Sequence, residues 1–139
     1  MRKILLMAAL CLASTTIYAQ QFGAALTAGD GVIFAGEGGN RVSAGTVYVY
    51  TRAEDGSWME TGKLKAPGSS DEANGFGRAL SVDGNTLVVG APTESAAYVF
   101  EKGEDGTWAN VARLEGFGVG LGSAVAISED QILVGSIGE

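Results

Sequence analysis

Apolar and small residues alternate along several short segments of the chain. Phe76, Leu80 and Val82 occupy even-numbered positions, and small residues lie between them at positions 77, 79 and 81. This period of two predicts a β-strand with one apolar face and one face of small side chains, which lets another layer approach closely. Residues 87–89 are apolar at consecutive positions, so we expect both faces of that strand to be covered.

Turn residues separate these segments. Asp83, Gly84 and Asn85 favour a tight hairpin between the first two strands, because Gly and Asn accept positive φ at little steric cost. Pro92 ends the second strand because it has no N–H to donate. A third strand follows at residues 98–100, and an acidic turn leads into a fourth strand that begins near Trp108. The segment therefore predicts four antiparallel strands.

The same pattern occurs three times. The pairs Phe22-Gly23, Phe76-Gly77 and Leu121-Gly122 are each followed by a glycine fourteen residues after the apolar residue, at Gly36, Gly90 and Gly135. We place the repeats at residues 22–75, 76–120 and 121–139, and a period near fifty with four strands per repeat is typical of propeller blades. The predicted fold is all-β, with about two and a half four-stranded antiparallel blades in a ring that does not close. Strands are expected near residues 22–28, 32–36, 46–51, 57–64, 77–82, 86–90, 96–101, 107–114, 122–127 and 131–135.

The N-terminal segment differs from the rest. Arg2 and Lys3 precede an apolar run at residues 4–13, and small Ala19 suits the last position before a cleavage site. Residues 1–19 are therefore interpreted as a signal peptide, with helix confined to this segment. The apolar run is about half of the ~20 residues that a membrane-spanning helix needs. We expect a protein that is secreted, periplasmic or at the cell surface, with no membrane insertion after the segment is removed.

Charge and composition exclude several classes. The formal net charge is −7 and there is no histidine, and Cys11 is the one cysteine. Removal of residues 1–19 leaves residues 20–139 as a partial propeller without a thiol. An acidic chain with no basic cluster does not favour nucleic acid as a partner. The absence of histidine excludes Ser-His-Asp and Cys-His nucleophiles, so we expect no enzyme activity and assign no catalytic residue.

Phe76-Gly77, Gly90-Ala91-Pro92 and the segment Tyr98-Val99-Phe100 together resemble the FG-GAP repeat. This repeat is the blade unit of the integrin α-subunit propeller and of many exported bacterial proteins. The resemblance covers the chain after the signal segment and implies a propeller that usually has seven blades. The chain is thus identified as similar to an incomplete, exported FG-GAP protein.

Integrin-like blades often bind calcium in an Asp-rich loop between their first two strands. The corresponding turns contain few carboxylates, with one at Asp83, one at Asp30 and two at Glu129 and Asp130. Residues 71–74 could lend oxygens, but a solvated loop is the preferred interpretation. We therefore expect no cofactor and no metal residue, and weak calcium binding or none.

Two other features have structural explanations. Gly116, Gly118, Gly120 and Gly122 form a glycine-rich run, but no helix pattern or lysine follows, so a flexible connection between blades is preferred to a phosphate-binding loop. Aromatic residues could form a sugar-binding platform, but their recurrence in each repeat favours packing between blades. They are Tyr48, Tyr50, Trp58, Tyr98, Phe100 and Trp108.

The expected function is that of an exported, non-catalytic module that binds a protein or glycan. Its candidate surfaces are the loop at residues 37–45, which is part of a connection four residues longer than its counterpart, and the exit at residues 65–75. The alternative is an accessory propeller of a larger secreted hydrolase. Because two and a half blades leave apolar edges bare, we also expect either a fragment of a longer product or self-association, and we favour the fragment because the third copy stops within a blade. No ligand-binding residue is assigned.

Overall fold

A computed structural model describes residues 21–39 and 41–138. The expected signal peptide, with its helix, lies outside these residues. The described strands are β1 (Ala25–Gly29), β2 (Val32–Gly36), β3 (Val47–Arg52), β4 (Trp58–Leu64), β5 (Ala79–Asp83), β6 (Thr86–Ala91), β7 (Ala96–Lys102), β8 (Trp108–Glu115), β9 (Ala124–Ser128) and β10 (Gln131–Gly135). The chain is all-β, as the alternating pattern predicts.

The strands form three antiparallel sheets, and each sheet lies within one of the three repeats. Strands β1 to β4 pair in sequence order to form blade 1, and β5 to β8 do the same in blade 2. Strands β9 and β10 pair with each other and form a partial blade 3. The first strands of the three sheets, β1, β5 and β9, contact one another in turn. This is the arrangement of adjacent propeller blades in an open ring.

The predicted strands are confirmed, with shifts at their ends. Strands β1, β5 and β9 begin two or three residues later than predicted, because the Phe-Gly or Leu-Gly pair forms a turn. In blade 2, the Arg78 amide donates to the Gly75 carbonyl at 3.1 Å, and Gly77 adopts a positive φ. One short 3₁₀ turn, Pro92–Glu94, lies outside the region where helix was expected. Proline fixes the φ value that begins this turn.

The main core lies between blades 1 and 2. Blade 1 supplies the face that carries Phe34 and Val47, and blade 2 supplies the opposing face that carries Leu87 and Val89. The ring of Trp108 meets Phe34 edge-on across this interface, with the ring centroids 4.9 Å apart. Each blade is only one sheet thick, so its apolar residues are buried by the neighbouring blade.

Blade 2 is covered on both faces, whereas blade 3 is not. Leu87, Val88 and Val89 are fully buried, as their consecutive apolar positions predict. On the small face of β5, the Ser81 hydroxyl accepts a hydrogen bond from the Ile127 amide of β9 at 3.1 Å. In blade 3, Leu133 is 69% exposed because no described strand covers its side of the sheet.

Candidate functional site

The long connections of the chain share one end of the blades. Among the described residues, this connection end consists of 37–39 and 41–46 between β2 and β3, 65–78 between blades 1 and 2, 92–95 between β6 and β7, and 116–123 between blades 2 and 3. It contains both candidate surfaces from the sequence, residues 37–45 and 65–75. The short turns between β1 and β2 and between β3 and β4 lie at the opposite end, since antiparallel strands alternate direction.

The Phe-Gly pair and the distant glycine of each repeat are joined by a hydrogen bond. The Gly77 amide donates to the Gly90 carbonyl at 3.1 Å, and Gly23 and Gly36 are paired in the same way at 2.9 Å. Gly122 and Gly135 repeat the contact in blade 3, also at 2.9 Å. The fixed spacing in the sequence is therefore the spacing that closes the first hairpin of each blade.

The same glycines also let neighbouring blades approach closely. A β-carbon on Gly36 would collide with the carbonyl of Gly77 in the next blade. A β-carbon on Gly90 would collide with the carbonyl of Gly122. These positions require glycine because backbone from the next repeat occupies the space of a side chain.

Asn74 anchors the two candidate loops to each other. Its Oδ1 accepts hydrogen bonds from the amides of Gly45 at 2.9 Å and Phe76 at 3.0 Å. The Ala44 amide also donates to the Asp71 carbonyl at 3.2 Å. Asn74 is buried, and its Nδ2 has no hydrogen-bond partner among the described residues. The bases of both loops are thus held in one arrangement, whereas Val42 in the first loop is 78% exposed.

A tyrosine and a glutamate form a matching pair in each complete blade. The Tyr48 hydroxyl donates to Glu37 Oε2 at 2.8 Å, and the Tyr98 hydroxyl donates to Glu94 Oε2 at 2.6 Å. A cation lies over each ring, Lys63 Nζ at 4.8 Å from the Tyr48 centroid and the Arg113 guanidinium carbon at 5.7 Å from the Tyr98 centroid. These side chains tie the third and fourth strands to the connection end.

The glutamates change the acidity of both phenols. The hydrogen bond to Glu37, burial and the Glu37 charge raise the pKa of Tyr48 from 10.0 to about 12. Burial and the bond to Glu94 raise the pKa of Tyr98, while Arg113 acts in the opposite direction. Both phenols are protonated at neutral pH, as any tyrosine is at its ordinary pKa, and they act as hydrogen-bond donors. The sequence did not reveal these pairs, because Glu37 and Glu94 come from loops of different lengths.

The aspartates in the turns at the opposite end act as hydrogen-bond acceptors. Asp55 Oδ1 accepts from the amide and hydroxyl of Ser57, and Asp105 Oδ1 accepts in the same way from Thr107. These hydrogen bonds hold the pKa of each aspartate below its usual value. The Asp83 carboxylate accepts from the Glu129 amide of blade 3. Among residues 21–39 and 41–138 there is no cluster of three or more side chains suited to hold a metal ion.

The aromatic residues that recur in the repeat differ in burial between blades 1 and 2. Tyr98 and Phe100 are buried beside Phe76, whereas Trp58 is 45% exposed on blade 1.

In the glycine-rich run, the Gly120 amide donates to the Ser95 hydroxyl at 3.1 Å, and Gly122 packs against Ala96. This part of the run has defined packing roles, which differs from the flexible connection predicted for it.

The comparison with known families agrees with this geometry. Residues 58–103, about a third of the chain, match the FG-GAP repeat. The matched segment begins with β4 of blade 1 and continues through β5, β6 and β7 of blade 2. This segment therefore contains an FG-GAP repeat, and this repeat suggests a propeller-like interaction module. No curated protein matches the chain significantly.

The described part of the chain contains no helix that is long and apolar enough to cross a membrane.

Proposed function

We propose that the chain is an exported, non-catalytic FG-GAP module that binds a protein or glycan through residues 37–45 and 65–75. The observation that carries this proposal is that the buried Asn74 fixes the bases of the two loops relative to each other. Val42, in the first of these loops, is exposed. A preorganised loop loses less conformational entropy on binding than a mobile one. FG-GAP repeats are typically non-catalytic interaction modules, which supports the same conclusion.

The test is a binding screen with the full chain against arrays of glycans and extracellular proteins. For any ligand found, Val42→Asp and Glu72→Lys at the connection end should each weaken binding by about tenfold, since each removes or reverses a surface contact. The matched control is Glu104→Lys, an exposed acidic residue in the β7–β8 turn at the opposite end. Equal loss in the control, or no loss in the two loop variants, would contradict the proposal.

We also propose that chains associate through their open faces. Phe22 and Leu26 are 53% and 65% exposed on blade 1, and Leu133 is 69% exposed on blade 3. Strand β10 pairs only with β9 among the described strands, so its other edge offers unpaired backbone groups. Sedimentation of the full chain should show a concentration-dependent dimer or larger species that Leu26→Lys and Leu133→Lys each weaken. A monomer at all concentrations would contradict this proposal.

A further inference from the structure

The connection end contains a cavity whose charge is opposite to that of the chain as a whole. The chain has 16 acidic and 9 basic residues, yet the charged side chains that line this cavity are Arg41 and Arg78. Gln21, Thr93 and the glycines at 38 and 39 also line it, and its volume is about 410 Å³. It lies where the first candidate loop of blade 1 meets the start of β5.

Neither arginine is required by the repeat. The residue after the Phe-Gly or Leu-Gly pair is Ala24 in the first copy and Ser123 in the third, so the turn itself accepts a small residue where Arg78 stands. Arg41 lies in the connection that is four residues longer than its counterpart in the second copy. Neither guanidinium forms an ion pair with another side chain within residues 21–39 and 41–138. Their charges are therefore available to a ligand.

The walls of the cavity are held by close contacts of two glycines, one with backbone and one with a side chain. A β-carbon on Gly38 would collide with the backbone of Arg78, and a β-carbon on Gly39 would collide with the side chain of Gln21. The close contact of Gly36 with Gly77 lies beside them and joins the same two segments. The two arginines thus extend from segments whose backbones are already packed together.

We propose that this cavity binds an oxyanion, a carboxylate, sulfate or phosphate group, through Arg41 and Arg78. A guanidinium offers parallel N–H donors that match the two oxygens of such a group. The Gln21 amide and the Thr93 hydroxyl add neutral hydrogen-bonding groups, and the volume is within the range of small-ligand sites. This inference rests on the proposed function for the role of the loops, and it names the chemistry that their ligand carries.

The charges of the chain also determine how the affinity for an oxyanion should depend on salt. Net negative charge repels anions at long range, so binding depends on the short-range contacts of the two arginines. These contacts are exposed to solvent and weaken as added salt screens them. Chloride is itself an anion and competes for the same guanidinium groups, so oxyanion binding should weaken as sodium chloride is raised, without a change in the fold.

The experiment is an NMR titration of the full ¹⁵N-labelled chain with sodium glucuronate, sodium sulfate and sodium phosphate at constant ionic strength. We expect saturable shifts of the Gly38, Gly39 and Arg78 amides, with Kd on the order of 1 mM for the preferred anion. Arg41→Gln and Arg78→Gln should each weaken binding by about tenfold, because each removes a charged hydrogen-bond donor. The order of the three affinities identifies whether the site prefers a carboxylate, a sulfate or a phosphate.

The matched control is Arg52→Gln, which removes an exposed arginine at the end of β3 near the opposite turns. It should leave the affinity unchanged, and unchanged amide spectra elsewhere would show that each variant is folded. No saturable shift with any of the three anions, or equal weakening by Arg52→Gln, would overturn the inference. Ligand binding through Val42 and Glu72 would still support the proposed function in that case. Conversely, the anions could bind while no protein or glycan ligand depends on Val42 or Glu72. That result would support the oxyanion site and contradict the proposed function.

Discussion

Phe22 and Phe76 occupy the same position in two copies of one repeat, yet their environments differ. Phe76 is fully buried between blades, in edge-on contact with Tyr98 and Phe100. Phe22 makes the equivalent edge-on contact with Tyr48 at 5.1 Å between centroids, but it remains 53% exposed. The contact within the blade is thus common to both copies, and the difference in burial comes from the neighbouring blade.

This difference shows where the stability of the fold resides. A blade carries an apolar pattern on its sheet faces but cannot bury it alone. Blade 2 has neighbours on both faces, so Val88 is fully buried, while the equivalent residue of blade 3, Leu133, is largely exposed. The free energy of folding therefore depends on the interfaces between blades, which makes paired substitutions in equivalent positions informative.

The largest effect is expected when the buried member of the first pair is truncated. Phe76→Ala should reduce the free energy of unfolding by about 3–5 kcal/mol, because it leaves a cavity between blades 1 and 2. The control, Phe22→Ala, should cost less than about 1 kcal/mol because the ring is already half in water. Urea denaturation of the full chain measures both, and equal losses would contradict the comparison.

A smaller but still substantial loss is expected for Asn74→Ala. The substitution leaves the buried amides of Gly45 and Phe76 without an acceptor, at about 2–4 kcal/mol in total. Asn85→Ala in the exposed β5–β6 turn is the control and should change stability by at most about 0.5 kcal/mol. Thermal unfolding measures both variants. If they unfold at the same temperature, Asn74 does not join the two loops.

The glycine contacts can be tested with one matched pair. Gly90→Ala should cost about 1–3 kcal/mol, because its methyl group meets the Gly122 carbonyl of the next blade. In the equivalent Gly135→Ala the nearest atom is the Ala124 methyl carbon at 3.4 Å, an ordinary contact. Thermal unfolding should therefore separate these variants, and a Gly90→Ala protein as stable as wild type would show that the blades are further apart.

The smallest effect concerns protons and not the fold. Glu37→Gln should lower the pKa of Tyr48 from about 12 toward 10.0, since the charged acceptor that favours the neutral phenol is lost. The raised pKa contributes stability that is complete below pH 10 and is lost as the pH rises toward 12, so the variant should lose less stability in that range. NMR of labelled tyrosine rings measures the titration. Glu60→Gln, a weaker contributor, should shift it less, and an unchanged Tyr48 would contradict the assignment.

The periodicity of the sequence was sufficient to predict the strands, because alternation and turn residues are local signals. It also predicted that residues 87–89 are covered on both faces. It could not predict Asn74, whose importance comes from contact with a residue 29 positions away. Arg78 could have been singled out from the sequence, because the equivalent residues of the other two copies are small. That Arg41 lines the same cavity could not be predicted, because it depends on the conformation of a loop of unusual length.

The most direct test of blade-to-blade packing uses the two tryptophans, which are equivalent in the repeat. Trp108 packs edge-on against Phe34 of the preceding blade, whereas Trp58 is 45% exposed. Acrylamide quenching of the Trp58→Phe variant, which reports on Trp108, should be weaker than quenching of the Trp108→Phe variant. Phe34→Leu should increase the quenching of Trp108 and leave that of Trp58 unchanged. Equal quenching of the two tryptophans, with no response to Phe34→Leu, would contradict the packing of blade 2 on blade 1.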